Sequence, residues 1–219
     1  MKIFVVVPAW NEESRLGNSL DQLKNQYQNV VVVDDGSVDN TTQVAAGRGL
    51  VVLNHLINRG QGAALQTGDE YALKNGADII IHFDADGQHQ VAEIARLIEP
   101  IVEGRADIVF GSRFLGNSRV PWTKKWLILK PAILFNWLFT GVKLSDAHNG
   151  LRALSAKAAR LINITHDEMA HASEILAQVR KNRLRYQEVP VDIIYHRYGQ
   201  GFGAGWKILK DLILKKILK

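Results

Sequence analysis

The chain has 219 residues, 47% of them hydrophobic and 22% charged, with no cysteine and a formal net charge of +5. That length and balance suit a globular domain with a real core and exclude wholesale disorder, and the lack of cysteine excludes disulfides, thiolate catalysis and Cys-ligated zinc. The charge is unevenly spread, because residues 1–110 carry 8 Lys and Arg against 15 Asp and Glu whereas residues 111–219 carry 19 against 7. The second half is therefore expected to meet anions such as phosphates, acidic lipids or nucleic acid, or else to present a solvated basic face.

In chain order, Ile3–Val7 reads as a β-rich run ended by Pro8, too short for the apolar region of a signal peptide. Asn11–Gln26 has helical spacing through Leu16, Leu20 and Leu23, and Val30–Val33 is a second strand closed by Asp34-Asp35-Gly36-Ser37. A short helix follows from about Asn40, then a strand at Leu50–Leu53, a helix at Gln61–Lys74, a strand at Ile79–Phe83, a helix at Val91–Val102 and a strand at Ile108–Phe110. Strands alternating with helices imply parallel βαβ units and an open sheet covered on both faces. Ligands of such sheets bind beyond the carboxyl ends of the strands. There the polar clusters stand: Pro8–Glu12, Asp34–Ser37, Asn58–Gly62, Asp84–His89 and Gly111–Arg113. Any one cluster reads as turn chemistry; five in step point to one cleft.

Beyond Arg113 the pattern changes. Trp122–Leu144 is apolar and aromatic but broken by lysines and Pro131, and Ser145–Leu154 is a loop leading to a short strand. Ala156–Ile162 and Ala172–Lys181 read as helices, Arg185–Val191 as a strand, and Trp206–Lys219 as a Lys- and Leu-rich helix of imperfect amphipathicity. Four of the five tryptophans, Trp122, Trp126, Trp137 and Trp206, lie in the basic half near lysines, a composition typical of segments resting in a membrane interface. Packing on the sheet, or dimerisation, is the plainer reading of the same segments. No stretch reaches the roughly 18 uninterrupted apolar residues of a membrane span.

The segment HFDADGQH, residues 82–89, carries the sharpest chemistry. Asp84 and Asp86, two apart on extended backbone, point the same way. Two close carboxylates conflict unless one takes a proton or a cation lies between them. All-oxygen ligands favour Mg²⁺ or Mn²⁺ with positions left for phosphates, and Gln88 and His89 are near enough to contribute. An EF-hand is excluded, since His89 and Ala95 stand where it needs Gly and Glu. An aspartyl-nucleophile phosphatase, or a pair that merely caps a turn, remains open from these residues alone. Gly60-Gln61-Gly62 lacks the Lys-Ser/Thr of a P-loop and reads as a tight helix start.

Together with VVVPAWNEE (5–13), VVVDDGSVDNT (31–41), NRGQGAALQTG (58–68), DIVFGSRF (107–114), DAHNGLRALS (146–155) and EVPVDIIYHR (188–197), this DXD-like segment resembles a family 2 glycosyltransferase of the GT-A fold. The chain is most similar to the dolichol-phosphate mannosyltransferase-like, polyprenyl-phosphate branch. The resemblance implies an α/β fold with a mostly parallel central sheet, helices on both faces and a C-terminal amphipathic helix. It divides the chain into one catalytic domain over 1–203 (nucleotide-sugar half 1–112, acceptor half 113–203) and a basic helix over 204–219.

It also implies roles. Pro8, Trp10 and Glu12 match the nucleotide corner, Asp35 the acid that reads the base edge, and Asp84, Asp86 and Gln88 the metal and diphosphate site. Arg113, Arg152 and Arg197 match basic residues that meet phosphate oxygens. Asp146 opens the acceptor segment and is the candidate general base if the acceptor is a hydroxyl. Arg152 pairing with Asp146 is the plainer reading of those two. The implied reaction is an inverting, Mg²⁺- or Mn²⁺-dependent transfer from a UDP- or GDP-sugar to a polyprenyl phosphate, at the cytoplasmic face of a membrane with peripheral attachment. Rival readings are the same donor chemistry on a sugar hydroxyl of an envelope polysaccharide or glycolipid, and a non-catalytic, membrane-docked nucleotide-sugar-binding module. Nucleic acid is not an expected partner, because the aromatics sit in apolar runs rather than in a stacking pattern; a homodimer or a membrane-anchoring partner is a further expectation.

Overall fold

The computed structural model describes residues 1–115, 133, 137, 141–146, 149–166 and 170–192. The expected helix over 204–219, Arg197, Trp122, Trp126 and Trp206 lie outside the described residues. The described chain runs β1 (Ile3–Ala9), α1 (Glu13–Gln26), β2 (Asn29–Asp34), α2 (Thr41–Ala46), β3 (Val51–Asn54), α3 (Gln61–Lys74) and β4 (Ile79–His82). After a 3₁₀ turn at Val91–Glu93 come α4 (Ile94–Val102), β5 (Ile108–Ser112), β6 (Arg152–Ser155), α5 (Ala156–Leu161), α6 (His171–Lys181) and β7 (Tyr186–Pro190).

The seven strands form one sheet in the order β3-β2-β1-β4-β6-β5-β7. Only β6 runs against the others, paired antiparallel with both β4 and β5. Alternation of side chains across the strands divides the core. Val6, Val31, Val33, Ile80 and Leu154 face Ala64, Leu65, Ala158, Ile175 and Leu176 of α3, α5 and α6. Val5, Val7, Val30, Val32, Ile79 and Ile81 face Leu16, Leu20, Leu23, Ala45, Ile94 and Leu97 of α1, α2 and α4. Each fully buried Val, Leu or Ile contributes about 1.5–3 kcal/mol, so the two faces together secure the sheet on which the site is mounted. Because both faces are covered, the strands read as continuous apolar runs rather than alternating ones.

The reversed strand matters for the site. The carboxyl ends of β1, β2, β4 and β5 lie along one edge of the sheet, and an antiparallel β6 brings its first residue, Arg152, to that same edge. Arg152 stands in register with His82 at the end of β4.

Candidate active site

At this edge lies a cleft of ≈ 700 Å³, whose wall includes Pro8, Trp10 and Glu12 at and after the end of β1, Asp35 after β2, Asn58, Gly60 and Gln61 before and at the start of α3, Asp84–Asp86 after β4, Gly150 and Arg152 at β6, and His171 of α6. A volume of that size accommodates a small-molecule or cofactor-sized ligand.

The turn after β1 is pinned to the turn after β2. Asn11 takes a positive φ of 54°, tolerable for Asn, and its N–H donates to Ser37 Oγ at 2.9 Å while its Oδ1 accepts from the Val38 N–H at 3.0 Å. The Glu12 N–H donates to Thr41 Oγ1 at 2.8 Å. Trp10 is thereby held half-exposed over the cleft, 53% accessible. The Glu12 carboxylate lies 2.9 Å from Arg15 Nε. Burial pushes its pKa up, with Arg15 opposing and Asp86 and Asp39 adding to the rise.

Asp34 and Asp35 divide the labour of their turn. Asp34 is spent inside it, accepting from the Ser37 N–H and from Thr42 Oγ1. Asp35 faces the cleft. Its Oδ1 meets His55 Nδ1 at 2.6 Å and the Arg59 N–H at 3.0 Å, and its Oδ2 accepts from the Gly60 N–H at 2.6 Å. Gly36 makes this closeness possible: its φ is +72°, and a Cβ there would stand 2.7 Å from the Asn58 nitrogen.

Asp84 and Asp86 stand together after β4. Asp84 Oδ1 accepts from Gln61 Nε2 at 2.7 Å, and Oδ2 lies 3.3 Å from His89 Nε2. His89 is itself set edge-on against Phe83, ring centroids 5.9 Å apart. Burial alone would raise the Asp84 pKa, but the His89 hydrogen bond and the charges of His89, Arg152 and His171 leave it lowered. Asp86 goes the other way. Burial raises its pKa first, Asp84 adds to the rise, and the Gln88 N–H, donating to Oδ1 at 2.9 Å, only partly offsets it. A half-buried carboxylate that resists ionisation beside another carboxylate is short of a positive charge. That electrostatic deficit, with an all-oxygen pair lining an open cleft, fits a divalent cation. Among the described residues no group of three His, Asp or Glu stands ready to cage one; the two carboxylates would leave positions for phosphate oxygens and water, as Mg²⁺ prefers.

Gly150 and Arg152 complete this wall. A Cβ at Gly150 would overlap the Asp84 carboxylate, so this glycine is what lets Asp84 lie where it does. Arg152 is 2% exposed. It donates from Nη2 to the Asn149 carbonyl at 3.2 Å, with the charges of Asp84 and Asp69 opposing the effect of burial. It is a buried counter-charge in the cleft wall. The partner of Asp146 is Arg113: its N–H, Nε and Nη2 donate to Asp146 at 3.1, 2.6 and 2.7 Å. Asp146 is buried, and Glu188 of β7 holds its loop by accepting from the N–H groups of Ser145 and Asp146. This pair stands at the end of β5, beside the cleft rather than in the wall described above. The Gln88 side chain is likewise not part of that wall. His55, Gln61 and Gly150 were not singled out from sequence as site residues, though the last two lie inside recognisable motifs.

Residues 4–162 match the profile of Glycosyl transferase family 2. The chain belongs to that family. It is 33% identical to a UDP-N-acetylglucosamine–dolichyl-phosphate N-acetylglucosaminyltransferase of Methanococcus voltae, over 99% of this chain and 97% of the relative. It is 30% identical to an undecaprenyl-phosphate mannosyltransferase of Micrococcus luteus, over 94% of this chain and 88% of the relative. Among solved structures, a glucosyl-3-phosphoglycerate synthase of Mycobacterium tuberculosis in complex with Mn²⁺ and UDP-glucose superposes with a TM-score of 0.72 at 21% identity, covering 98% of this chain and 78% of that one. The seven-stranded, mostly parallel sheet of this family 2 glycosyltransferase is thus the GT-A fold, and the protein is an enzyme of glycosyl transfer.

Proposed function

We propose that the enzyme transfers a sugar from a nucleoside-diphosphate sugar to a polyprenyl phosphate by in-line displacement at the anomeric carbon, inverting its configuration. The two named relatives, whose acceptors are dolichyl and undecaprenyl phosphates, support the acceptor class. The observation that carries the reading is the state of Asp146. Its carboxylate is committed to three donors of Arg113, so it is poorly disposed to take a proton from an acceptor hydroxyl, which would need a general base. A phosphate monoester has its second pKa near about 6 and arrives already charged, needing only basic guidance.

In this reading Trp10, Glu12 and Asp35 hold the nucleoside, with Pro8 shaping their turn. Asp84 and Asp86, with Gln88 nearby, hold a divalent cation, which when bound supplies Lewis-acid neutralisation of the departing diphosphate. Arg113, its Nε and Nη2 held by Asp146, supplies positive charge beside the cleft to guide the acceptor phosphate, and Arg197 adds a second basic contact. His89 and, after it, the charge of Arg152 favour the ionised form of Asp84. An acceptor phosphate oxygen forms the new bond to the anomeric carbon as the carbon–oxygen bond to the diphosphate breaks, and the electron pair leaves with the nucleotide. The reaction runs at the cytoplasmic face of a membrane, with residues 1–112 handling the donor, 113–203 the acceptor and 204–219 resting at the lipid surface. Among the described residues no helix is long and apolar enough to cross a membrane.

The test offers radiolabelled UDP- and GDP-sugars with Mg²⁺ or Mn²⁺ and a polyprenyl phosphate, and counts label entering the organic phase. Acid-labile organic label is expected. Donor hydrolysis without organic label would discard the acceptor. Asp146→Asn should lower the rate without removing a limb of the pH–rate curve, whereas loss of the acid limb would make Asp146 the base and favour a hydroxyl acceptor.

A further inference from the structure

We propose that His55 is a positioning residue that prepares Asp35 to accept a single N–H from the donor's base, so that the cleft takes a uracil nucleotide in preference to a guanine one. The proposal rests on the reading of the cleft as a nucleoside-diphosphate-sugar site, though not on the acceptor.

His55 follows β3 and is reached by two elements. Its Nδ1 stands 2.6 Å from Asp35 Oδ1, and its Nε2 stands 2.9 Å from Thr67 Oγ1 on α3. A carboxylate oxygen only accepts, so Nδ1 carries a proton and donates to Asp35, while Nε2 pairs with the Thr67 hydroxyl. One imidazole links helix α3 to the carboxylate in the cleft wall. With the Arg59 N–H also on Oδ1 and the Gly60 N–H on Oδ2, three of the roughly four lone-pair positions of a carboxylate are filled. The one left belongs to Oδ2.

That remainder is a chemical filter. Uracil presents one N–H on its pairing edge, flanked by two carbonyls. Guanine presents two adjacent N–H donors, which a carboxylate satisfies by meeting them with both oxygens. Asp35 has one position to offer while His55 is in place, and this suits uracil. Guanine would keep one donor unmatched in a confined site, a loss that costs affinity. His55 therefore sets the base preference without touching the base.

The experiment is nucleotide binding by calorimetry, UDP against GDP at matched Mg²⁺, with the full chain and its variants. Wild type should bind UDP about tenfold or more tightly than GDP, the ratio expected of one unmatched hydrogen bond. His55→Leu removes the Nδ1 donor and frees a position on Oδ1, so UDP affinity should fall while GDP affinity holds or rises. His55→Asn, whose amide can donate from about the place of Nδ1, should restore the wild-type ratio. Thr67→Val leaves the Nδ1 donor but loosens the ring, and should move the ratio part of the way; it also serves if His55→Leu does not fold. Equal losses for UDP and GDP in the variants would mean loop collapse and overturn the assignment, as would wild-type binding of GDP as tight as UDP. If neither nucleotide binds wild type, the donor-site reading itself falls. The organic-phase assay can fail without moving any of these ratios, so the acceptor is judged separately.

Discussion

Two carboxylates after β4 carry the charge problem of the site, and each makes a separate expectation at the residue scale. Asp86 is held partly against its preference, because burial and Asp84 both raise its pKa. Asp86→Asn keeps an Oδ1 acceptor for the Gln88 N–H and removes only the charge, so turnover should fall by about 100-fold or more, as when one group that stabilises developing charge is lost. Nucleotide affinity in the absence of cation should hold or improve; if instead turnover with Mg²⁺ is unchanged, Asp86 is no cation ligand. Asp84 is different, since its place depends on what is missing opposite it. A Cβ at residue 150 would overlap its carboxylate, so Gly150→Ala must displace Asp84 or the loop before β6. A displacement of about 1 Å at such a group is enough for a rate loss near 100-fold. The unfolding temperature should change little, and a fully active Gly150→Ala enzyme would remove Asp84 from the chemistry.

At the element scale the close approach of α3 to β1 does the positioning, because α3 carries Gln61 to the cleft and Thr67 to His55. Gly68 in mid-helix would ordinarily cost about 1 kcal/mol relative to Ala. Here it repays that, since a Cβ would run into the Val6 side chain on β1. Gly68→Ala should therefore destabilise, by about 1–3 kcal/mol as overpacking does, where propensity alone predicts a gain; denaturant midpoints decide the sign. This contact also marks what could and could not be read from the chain. Strand ends were legible, because apolar runs such as Ile79–Ile81 stop at polar clusters, and the helices showed their spacing. The order of strands was not. Nothing local in Arg152–Ser155 says that it inserts antiparallel between β4 and β5, yet that insertion is what brings Arg152 to the cleft wall beside Asp84. Gly150, His55 and the Arg113–Asp146 pair escaped for the same reason: each matters through a contact distant in sequence, and no local pattern encodes the partner.

For the whole molecule, two acids of the site, Glu12 and Asp86, and one acid of the frame, Asp107, pull stability in opposite directions with pH. Glu12 and Asp86 have pKa values raised above the ordinary 4.5 and 3.8, burial being the first cause in each. As pH falls through their raised values toward the ordinary ones, the folded state binds protons before the unfolded state does, and stability rises. Asp107, buried at the start of β5, is the opposite case. Arg185 donates to it from N, Nε and Nη2 at 2.9, 3.1 and 3.0 Å and Lys157 Nζ lies at 3.3 Å, and these bonds, Arg185 foremost, hold its pKa far below 3.8. Its contribution is complete above the ordinary aspartate value and is lost as pH falls below it, because the unfolded state then binds the proton first. Urea midpoints of the cation-free protein from pH 7 to 3 test both arms. The double variant Glu12→Gln/Asp86→Asn should be more stable than wild type at pH 7, and that advantage should shrink as pH approaches about 4. Asp107→Asn should be less stable at pH 7 by about 1–3 kcal/mol, the scale of a hydrogen bond to a charged group, and should close on wild type only below about pH 4. A double variant with no advantage at neutral pH would mean that the cleft carries no electrostatic strain, and with it would go the physical reason for a cation between Asp84 and Asp86.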